Sequence, residues 1–221
     1  MKRLVIIGGG GHGKVVADAA EACERWEDIV FYDDAWPDLS ENGPWKVAGL
    51  IRSVMDLPAE SCEIALGIGD NASRARIASQ VLEAGYALAS VVHPTACISR
   101  HARIGAGTVV LAGAVINIGA RLGTACIVNT RAVVEHDCVL GTAVHISPGA
   151  ALAGGVVIGD RTWVGIGACI RQQVSVGQNV TIGAGAVVVA SFPENVTVVG
   201  NPARAVSRSR ESNHEEFAYA K

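Results

Sequence analysis

Residues 123–158 read GTACIV NTRAVV EHDCVL GTAVHI SPGAAL AGGVVI, and each block of six ends in a branched aliphatic side chain. The same holds at all seventeen sixth positions from Val92 to Val188, with no insertion to break the count. A helix repeats every 3.6 residues and a strand every 2, so neither sustains a period of six. Hexapeptide repeats are typical of parallel β-helices, and the sequence therefore predicts one over this stretch.

The predicted β-helix is a triangular prism in which one block of six residues makes one face and one corner. Three blocks, or 18 residues, complete a coil, so seventeen blocks give between five and six coils. At the ~4.8 Å spacing of neighbouring strands, the prism is roughly 27 Å long. The aliphatic residue is predicted to point to the axis, and a small residue two places earlier to pack near the corner. The small or β-branched residues of this second register are Ala96, Ala102, Thr108, Ala114, Ala120, Cys126, Ala132, Cys138, Ala150, Thr162, Ala168 and Ala186.

Composition narrows the class of protein. The 221 residues are 50% hydrophobic and 18% charged with a formal net charge of −3, which is typical of a soluble globular chain long enough for two small domains. This balance gives no reason to expect nucleic acid or an anionic membrane as a partner. We see no long apolar span and no signal peptide, and the six cysteines form no CxxC pair. We therefore expect a cytoplasmic protein with reduced cysteines and no bound metal.

The first 91 residues show a different pattern, in which short apolar segments alternate with amphipathic ones. Strands are predicted at 4–7, 29–32 and 63–66, and helices at 14–24 and 72–84. Such an alternation indicates a small parallel sheet. We divide the chain into an α/β domain over 1–91, a β-helix over 92–206 and a polar tail over 207–221. The tail is expected to be partly disordered or a short surface helix.

A glycine-rich turn, Gly8-Gly9-Gly10-Gly11-His12-Gly13, follows the first predicted strand and formally matches GxGxxG. An acidic pair, Asp33 and Asp34, comes about twenty residues later, as in a dinucleotide fold. A domain of this size supplies only one of the two halves that a dinucleotide site needs, so we favour a nucleotide site over an NAD site. Backbone N–H groups of the turn can approach a phosphate or sugar at a helix N-terminus. Asp33 and Asp34 could accept hydrogen bonds from a base or ribose, and His12 could reach a ligand oxygen or have no ligand.

One stretch of the repeat, Glu135-His136-Asp137, contains several side chains suited to acid–base chemistry. His136 falls in the middle of a block, at a position that can face outward. Either neighbouring carboxylate can orient the ring and raise its basicity. His145 lies nine residues later, half a coil away, so the spacing does not place it beside His136 within one chain. His136 is thus a candidate general base, with an unreactive surface histidine as the alternative.

Further motifs are spread over nearly the whole chain. They are Ile7–Val16 (IGGGGHGKVV), Tyr32-Asp33-Asp34, Ile68-Gly69-Asp70-Asn71, His93-Pro94, Asn129-Thr130, Glu135-His136-Asp137-Cys138 and Gly200-Asn201-Pro202-Ala203-Arg204. In combination, these motifs resemble the bacterial nucleotide-sugar acetyltransferases of the left-handed β-helix superfamily, in particular the PglD/NeuD-like group.

The resemblance implies a fold, an assembly and a set of site residues. The fold is a Rossmann-like βαβ domain followed by a left-handed β-helix, in a homotrimer with active sites between adjacent subunits. By the resemblance, His136 is the general base and Asp137 its helper carboxylate. The residues that the resemblance assigns to acetyl-CoA are His145, Ile166 and Ala184, the last standing where the family has glycine. The residues that it assigns to a nucleotide-linked amino sugar are Gly10, Gly11, His12, Asp33, Asp34 and Gly69.

The function that the resemblance implies is transfer of acetyl from acetyl-CoA to the C4 amine of a UDP-linked 4-amino-trideoxy sugar, as in a bacillosamine-type pathway. Two alternatives keep the fold and the base: a GDP- or dTDP-linked amino sugar such as perosamine, or a hydroxyl of sialic acid or another sugar. A non-catalytic protein that binds nucleotide sugars and an NAD enzyme are alternatives from other classes. Nothing in Asp33 or Asp34 identifies the base.

Overall fold

Two architectures follow one another along the chain, as the change in sequence pattern predicts. The structure is a computed structural model that describes residues 3–206. The predicted tail over 207–221 lies outside these residues. Among the described residues, no helix is long and apolar enough to cross a membrane.

The first part is a five-stranded sheet with a helix after its first strand and another after its last. Strands β1 to β5 are Arg3–Ile7, Asp28–Tyr32, Glu41–Asn42, Trp45–Gly49 and Cys62–Leu66; helices α1 and α2 are Gly11–Ala22 and Asn71–Glu83; two 3₁₀ helices are Ile51–Asp56 and Ala59–Ser61. The strand order is β3-β4-β2-β1-β5, with only β3 antiparallel to its neighbour. The three predicted strands and two predicted helices are confirmed. The two-residue β3 and the 3₁₀ helices were not predicted, because such short segments show no periodicity.

The second part is a prism of three sheets whose coils repeat every 18 residues, as in the pairing of Val115 with Val133. Face I contains Val91–Val92, Val109–Val110, Ile127–Val128, His145–Ile146, Trp163–Val164, Thr181–Ile182, Thr197–Val199 and Arg204–Val206. Face II contains Cys97–Ile98, Val115–Ile116, Val133–Val134, Ala151–Leu152, Cys169–Ile170 and Val187–Val188. Face III contains Arg103–Ile104, Arg121–Leu122, Val139–Leu140, Val157–Ile158 and Ser175–Val176. All pairings are parallel except the last of face I.

The predicted inward register forms the core of the prism. Every sixth residue from Val110 to Val188 is at most 6% exposed, and the small register packs against it with Ala114, Cys126 and Cys138 fully buried. Val92 and the two inward residues after it are only partly buried, because the first coil has no coil before it. Burial of this aliphatic column against itself is what stabilises a solenoid.

The three corners of the prism are named by the faces that they join. The I–II corner includes Ile166, the II–III corner includes His136, and the III–I corner includes Ala125 and Ala143. The α/β domain covers the beginning of face I, where Val109 shares a core with the helices and strands of that domain. The domain also reaches the III–I corner, where Arg74 donates to the carbonyls of Ala125 and Ala143.

Candidate active site

His136 and Asp137 form the II–III corner between two short strands of the prism. His136 Nδ1 lies 2.9 Å from Asp137 Oδ2, and the side chains are 59% and 73% exposed. A carboxylate oxygen only accepts, so this hydrogen bond places the ring proton on Nδ1 and leaves Nε2 able to accept another. The arrangement is that of a general base oriented by a carboxylate.

Glu135 does not contact this ring, although the sequence left both neighbouring carboxylates open as its partner. Its Oε2 accepts hydrogen bonds from Asn117 Nδ2 at 2.9 Å and from the backbone N–H of His136 at 3.3 Å. Asn117 belongs to the preceding coil, so Glu135 fastens the corner to that coil. The carboxylate available to the ring is therefore that of Asp137.

A cleft of about 1270 Å³ opens where β1, β2 and β5 end at their carboxyl edge. The chain leaves β1 toward β2 on one side and later places β5 on the other, and such a switch in strand order is where ligands bind in α/β sheets. Four of the predicted contacts line the cleft: Gly10, Asp33, Asp34 and Gly69. Gly11 and His12 are not among its lining residues. The cleft is large enough for a nucleotide-sized ligand.

The two acidic residues of this cleft differ in what they already bind. Asp33 accepts backbone hydrogen bonds on both oxygens, from Gly9 N at 2.6 Å and from Ala35 N at 2.8 Å. Asp34 accepts one on Oδ1, from Ile51 N at 3.1 Å. Asp33 thus holds the glycine turn in place, and the geometry favours Asp34 over Asp33 as an acceptor for a ligand.

His12 and His145 meet where the α/β domain covers face I. Their ring centroids are 6.2 Å apart, and His145 stacks on Trp163 at 4.9 Å. Asn129 Oδ1 accepts from Thr130 N at 2.8 Å, which orients the amide so that its Nδ2 donates to His145 Nε2 at 3.1 Å. The ring proton of neutral His145 is therefore on Nδ1. This Nδ1 and the Nε2 of His12 are buried without a hydrogen-bond partner within residues 3–206.

The location of His12 and His145 at the domain boundary bears on the ligand contacts predicted for each of them. His145, assigned to acetyl-CoA by the resemblance, is only 6% exposed in the single chain, and His12 faces it across the domain boundary instead of lining the cleft. Their direct contacts with substrate stay predictions.

Arg74 is the residue of this region that the sequence analysis missed. Its side chain is 1% exposed. It donates to the carbonyls of Ala125 at 2.8 Å and Ala143 at 2.9 Å on the prism. Its remaining bonds go to the carbonyls of Ile68–Gly69 and to Asn71 Oδ1. Residues 67–70, between β5 and α2, form a loop that lines the cleft and that we call the cleft loop. One guanidinium thus connects this loop to the III–I corner.

A signal for Arg74 was present in helix α2. The buried positions Asn71, Arg74, Ile77 and Val81 follow helical spacing, so an arginine stands on the apolar stripe of the helix. A charged residue on such a stripe is expected to be buried, with hydrogen-bond partners for all of its polar groups. Asn71 Nδ2 adds a bond to the carbonyl of Arg161, one coil after Ala143 at the same corner.

The predicted site residues lie near three different corners of the prism, except for His145, whose strand belongs to face I. Ile166, 56% exposed, and Ala184, also exposed, stand one above the other at the I–II corner. The His136–Asp137 pair is at the II–III corner, and the cleft loop is held at the III–I corner. The structure brings the residues of each group together, but one chain does not bring the three groups to one edge of the prism.

Comparisons with known proteins match both parts of the chain. The family described as PglD N-terminal domain matches residues 3–81, and bacterial transferase hexapeptide (six repeats) matches residues 155–190. The acetyltransferase domain of PglB from Neisseria gonorrhoeae FA1090 is 43% identical and covers 93% of this chain and 100% of its own, with a TM-score of 0.91. The chain belongs to the PglD-like nucleotide-sugar acetyltransferases.

Two other relatives of this PglD-like chain have described ligands or activities. PerB from Caulobacter crescentus, solved with CoA and GDP-perosamine, is 37% identical over 94% of this chain and 98% of its own, with a TM-score of 0.87. UDP-N-acetylbacillosamine N-acetyltransferase of Bacillus subtilis (strain 168) is 35% identical over 114 residues. That match covers 51% of this chain and about half, 52%, of the relative.

In this PglD-like chain, the partly buried His12 and the buried His145 are neutral at physiological pH. Burial, and then the Arg74 cation, lower the pKa of His12 to about 4. The same causes, with a smaller contribution from His12, lower the pKa of His145 to about 3. Each ring therefore offers one N–H donor and one acceptor nitrogen. Within residues 3–206, no group of three or more His, Cys, Asp or Glu side chains is placed to hold a metal ion.

These pKa shifts predict acid sensitivity of the fold. An unfolded histidine takes up its proton near pH ~6.5, whereas the folded rings resist it until pH 4 or below. As pH falls from ~6.5 toward 4, the unfolded state binds more protons than the folded state does. The free energy of unfolding should therefore decrease over this range by up to about 1.4 kcal/mol per pH unit for each histidine. Urea unfolding between pH 7 and pH 5 measures the slope. His12→Gln should flatten it, and an unchanged slope in that variant would contradict the assignment.

Proposed function

We propose that this chain transfers the acetyl group of acetyl-CoA to the C4 amine of a UDP-linked 4-amino-trideoxy sugar of the bacillosamine type. The observation that carries the proposal is the 2.9 Å pair of His136 and Asp137 at an open corner of a hexapeptide prism. The Bacillus subtilis relative is named UDP-N-acetylbacillosamine N-acetyltransferase, and the PglB domain has also been solved in complex with acetyl coenzyme A. The α/β domain over 1–91 takes the nucleotide sugar, and the β-helix over 92–206 takes acetyl-CoA.

In this mechanism, His136 acts through its free Nε2. It accepts the proton of the attacking amine as the new N–C bond forms and the C–S bond of the thioester breaks. Asp137 holds Nδ1 and stabilises the imidazolium that results. His136 then returns the proton to the leaving sulfur. Backbone N–H groups at the corner stabilise the negative charge on the thioester oxygen.

A cysteine acyl-enzyme is not part of the proposal. Cys138 is two residues from His136, but its side chain is buried and its thiol donates to the carbonyl of Ala153 at 3.2 Å. Burial raises the pKa of this thiol. A buried, protonated thiol is a poor nucleophile, which favours direct attack by the amine.

The chain is proposed to form a homotrimer in which each site lies between adjacent chains. The His136–Asp137 pair, Ile166 and the cleft loop lie at three different corners of one chain. Groups from neighbouring chains are therefore needed to surround one acetyl-CoA and one nucleotide sugar. Face II, which lies between the first two of these corners, presents only small or apolar outward side chains: Cys97, Val115, Val133, Ala151, Cys169 and Val187. Such a face suits contact with a second copy.

A GDP-linked amino sugar is the second candidate substrate. PerB, whose structure contains GDP-perosamine, is similar to this chain over nearly the full length of both. The chemistry at His136 is the same for either nucleotide, so the difference lies in the cleft of the α/β domain. Asp34 and the residues around Ile51 and Met55 line that cleft and do not by themselves select a base.

Release of free thiol from acetyl-CoA, measured against UDP-, GDP- and dTDP-linked 4-amino sugars with sialic acid as a hydroxyl control, tests the proposal. We expect the UDP-linked sugar to give the highest kcat/KM. Preference for the GDP sugar would replace the nucleotide assignment, and turnover only with the hydroxyl would replace the amine. No release of thiol with any acceptor would overturn the catalytic proposal. Light scattering on the same sample should give three chains of 22.8 kDa, and an active monomer would contradict the assembly.

A further inference from the structure

Two glycines border the His136–Asp137 pair, one coil away on either side. Gly154 follows His136 by 18 residues, and Gly119 precedes Asp137 by 18 residues. A methyl group added at Gly154 would overlap with His136 Nε2 and come within 2.5 Å of Cε1. A methyl group added at Gly119 would overlap with Asp137 Oδ1. The ring and the carboxylate therefore occupy space that a side chain at either position would take.

The backbone of the turn does not itself require glycine at 154. Gly154 stands two residues after an inward aliphatic residue, and its φ is outside the left-handed region. The same place in other blocks holds alanine at 106, 112 and 184, and glutamine one coil further on, at Gln172. Because these blocks form the same turn, a Cβ is compatible with it. The absence of a side chain at 154 is explained by the imidazole beside it.

Gly119 differs in that its backbone is left-handed, with φ +77°. The equivalent place in other blocks nevertheless accepts non-glycine residues, such as Ala125 at φ 56° and Arg131 at φ 56°. Asp137 itself occupies this place at φ 59°. Left-handed geometry alone therefore does not require glycine at 119, where a methyl group would overlap with the carboxylate of Asp137.

We propose that Gly119 and Gly154 are positioning residues for the acetyl-transfer reaction: together they leave a slot that holds the imidazole of His136 against Asp137 with Nε2 free. The inference rests on the proposed function. With alanine at 154, the ring must rotate out of the slot, because the overlap involves Nε2 and Cε1 at its far end. This movement breaks the Nδ1–Oδ2 bond or turns Nε2 away from the amine. The fold should tolerate it, since His136 is 59% exposed and can move into solvent.

The test compares Gly154→Ala with Gln172→Ala, which has a methyl group at the same corner one coil further from the ring. We expect Gly154→Ala to lower kcat by about 10–10²-fold, the loss typical of a displaced reacting group, with both KM values within about threefold and an unchanged melting temperature. Gln172→Ala should match the wild type. A kcat of Gly154→Ala within threefold of that of Gln172→Ala would overturn the proposal.

Gly119→Ala is compared with Gly149→Ala in the same way. Both glycines are left-handed, at φ +77° and +66°, but nothing lies within 4 Å of a methyl group at 149. The strain of the left-handed backbone is therefore common to both variants, and only the overlap with Asp137 differs. We expect kcat to fall further in Gly119→Ala than in Gly149→Ala, and equal losses would show that strain alone acts.

A readout without substrate separates this proposal from the proposed function. Long-range ¹H–¹⁵N correlation of the His136 ring, at a pH where the ring is neutral, reports which nitrogen carries the proton. The slot predicts a single Nδ1–H tautomer in the wild type and in Gln172→Ala, and a mixture in Gly154→Ala. The wild type could fail to release thiol with every acceptor while its tautomer still differs from that of Gly154→Ala. This result would support the slot and overturn only the proposed reaction. The same single tautomer in Gly154→Ala would overturn the slot.

Discussion

Replacing His136 by alanine should lower the turnover number by ~10²–10⁴-fold, the contribution of a positioned general base. The structure gives the reason: Nε2 is the nitrogen left free by the hydrogen bond between Nδ1 and Asp137. Because the ring is largely exposed, its removal leaves no cavity, and the melting temperature should stay within a few degrees of the wild type. Steady-state thiol release with the preferred amino sugar measures the loss.

His101→Ala is the matched control for this prediction. His101 is an exposed histidine at the same II–III corner, two coils before Asp137. It should keep the wild-type turnover number, since only its position along the corner differs. A His136→Ala enzyme within threefold of the wild type would remove His136 from the role of general base.

Replacing Arg74 by methionine should lower the free energy of unfolding by about 3–5 kcal/mol, the usual cost of removing one member of a buried charged network. The guanidinium bonds four carbonyls and one amide oxygen on both sides of the domain boundary. Methionine has nearly the same length but no donor, so these acceptors remain buried without partners. For a chain of this size, such a loss corresponds to a fall in melting temperature of roughly 10 °C.

The neighbouring arginine of the same helix provides the control. Arg76 is exposed, and within residues 3–206 its side chain makes one hydrogen bond, at 3.4 Å to Gln80, so Arg76→Met should change the free energy of unfolding by less than about 0.5 kcal/mol. Arg74→Lys should lie between the two, because a lysine retains the charge but cannot form the five bonds. Equal stability of Arg74→Met and Arg76→Met in urea unfolding would show that the guanidinium does not hold the boundary.

Much of the fold was predictable because its rules are local. The inward register from Val110 to Val188 follows from a period of six that no helix or strand shares, and the structure buries every member of it. The strands and helices of the α/β domain were predicted for the same reason, since apolar runs and amphipathic spacing are read along the chain. Short elements such as Glu41–Asn42 were missed because pairing with Trp45–Gly49, and not local sequence, makes them strands.

The candidate site divides in the same way. His136 was recognisable as a candidate from its place in the block and from its carboxylate neighbours. Only the structure shows that Asp137 is the carboxylate bonded to the ring, because Glu135 accepts a hydrogen bond from Asn117 of another coil. Asp33 was predicted as a ligand acceptor, and only the structure shows that its oxygens already accept hydrogen bonds from Gly9 N and Ala35 N. Its contact with a ligand stays a prediction. Arg74 donates to carbonyls that lie 51 and 69 positions further along the chain, so no local pattern pairs them with it.

By itself, the sequence determined the architecture, the order of the two parts and the candidate base, because each depends on residues close together in the chain. Tertiary structure alone decided which carboxylate meets His136, which nitrogens of His12 and His145 lack partners, and which corner holds each part of the site. Those features depend on which side chains meet between neighbouring coils and between the α/β domain and face I. The period of six predicts how the coils stack, but it does not specify these side-chain contacts.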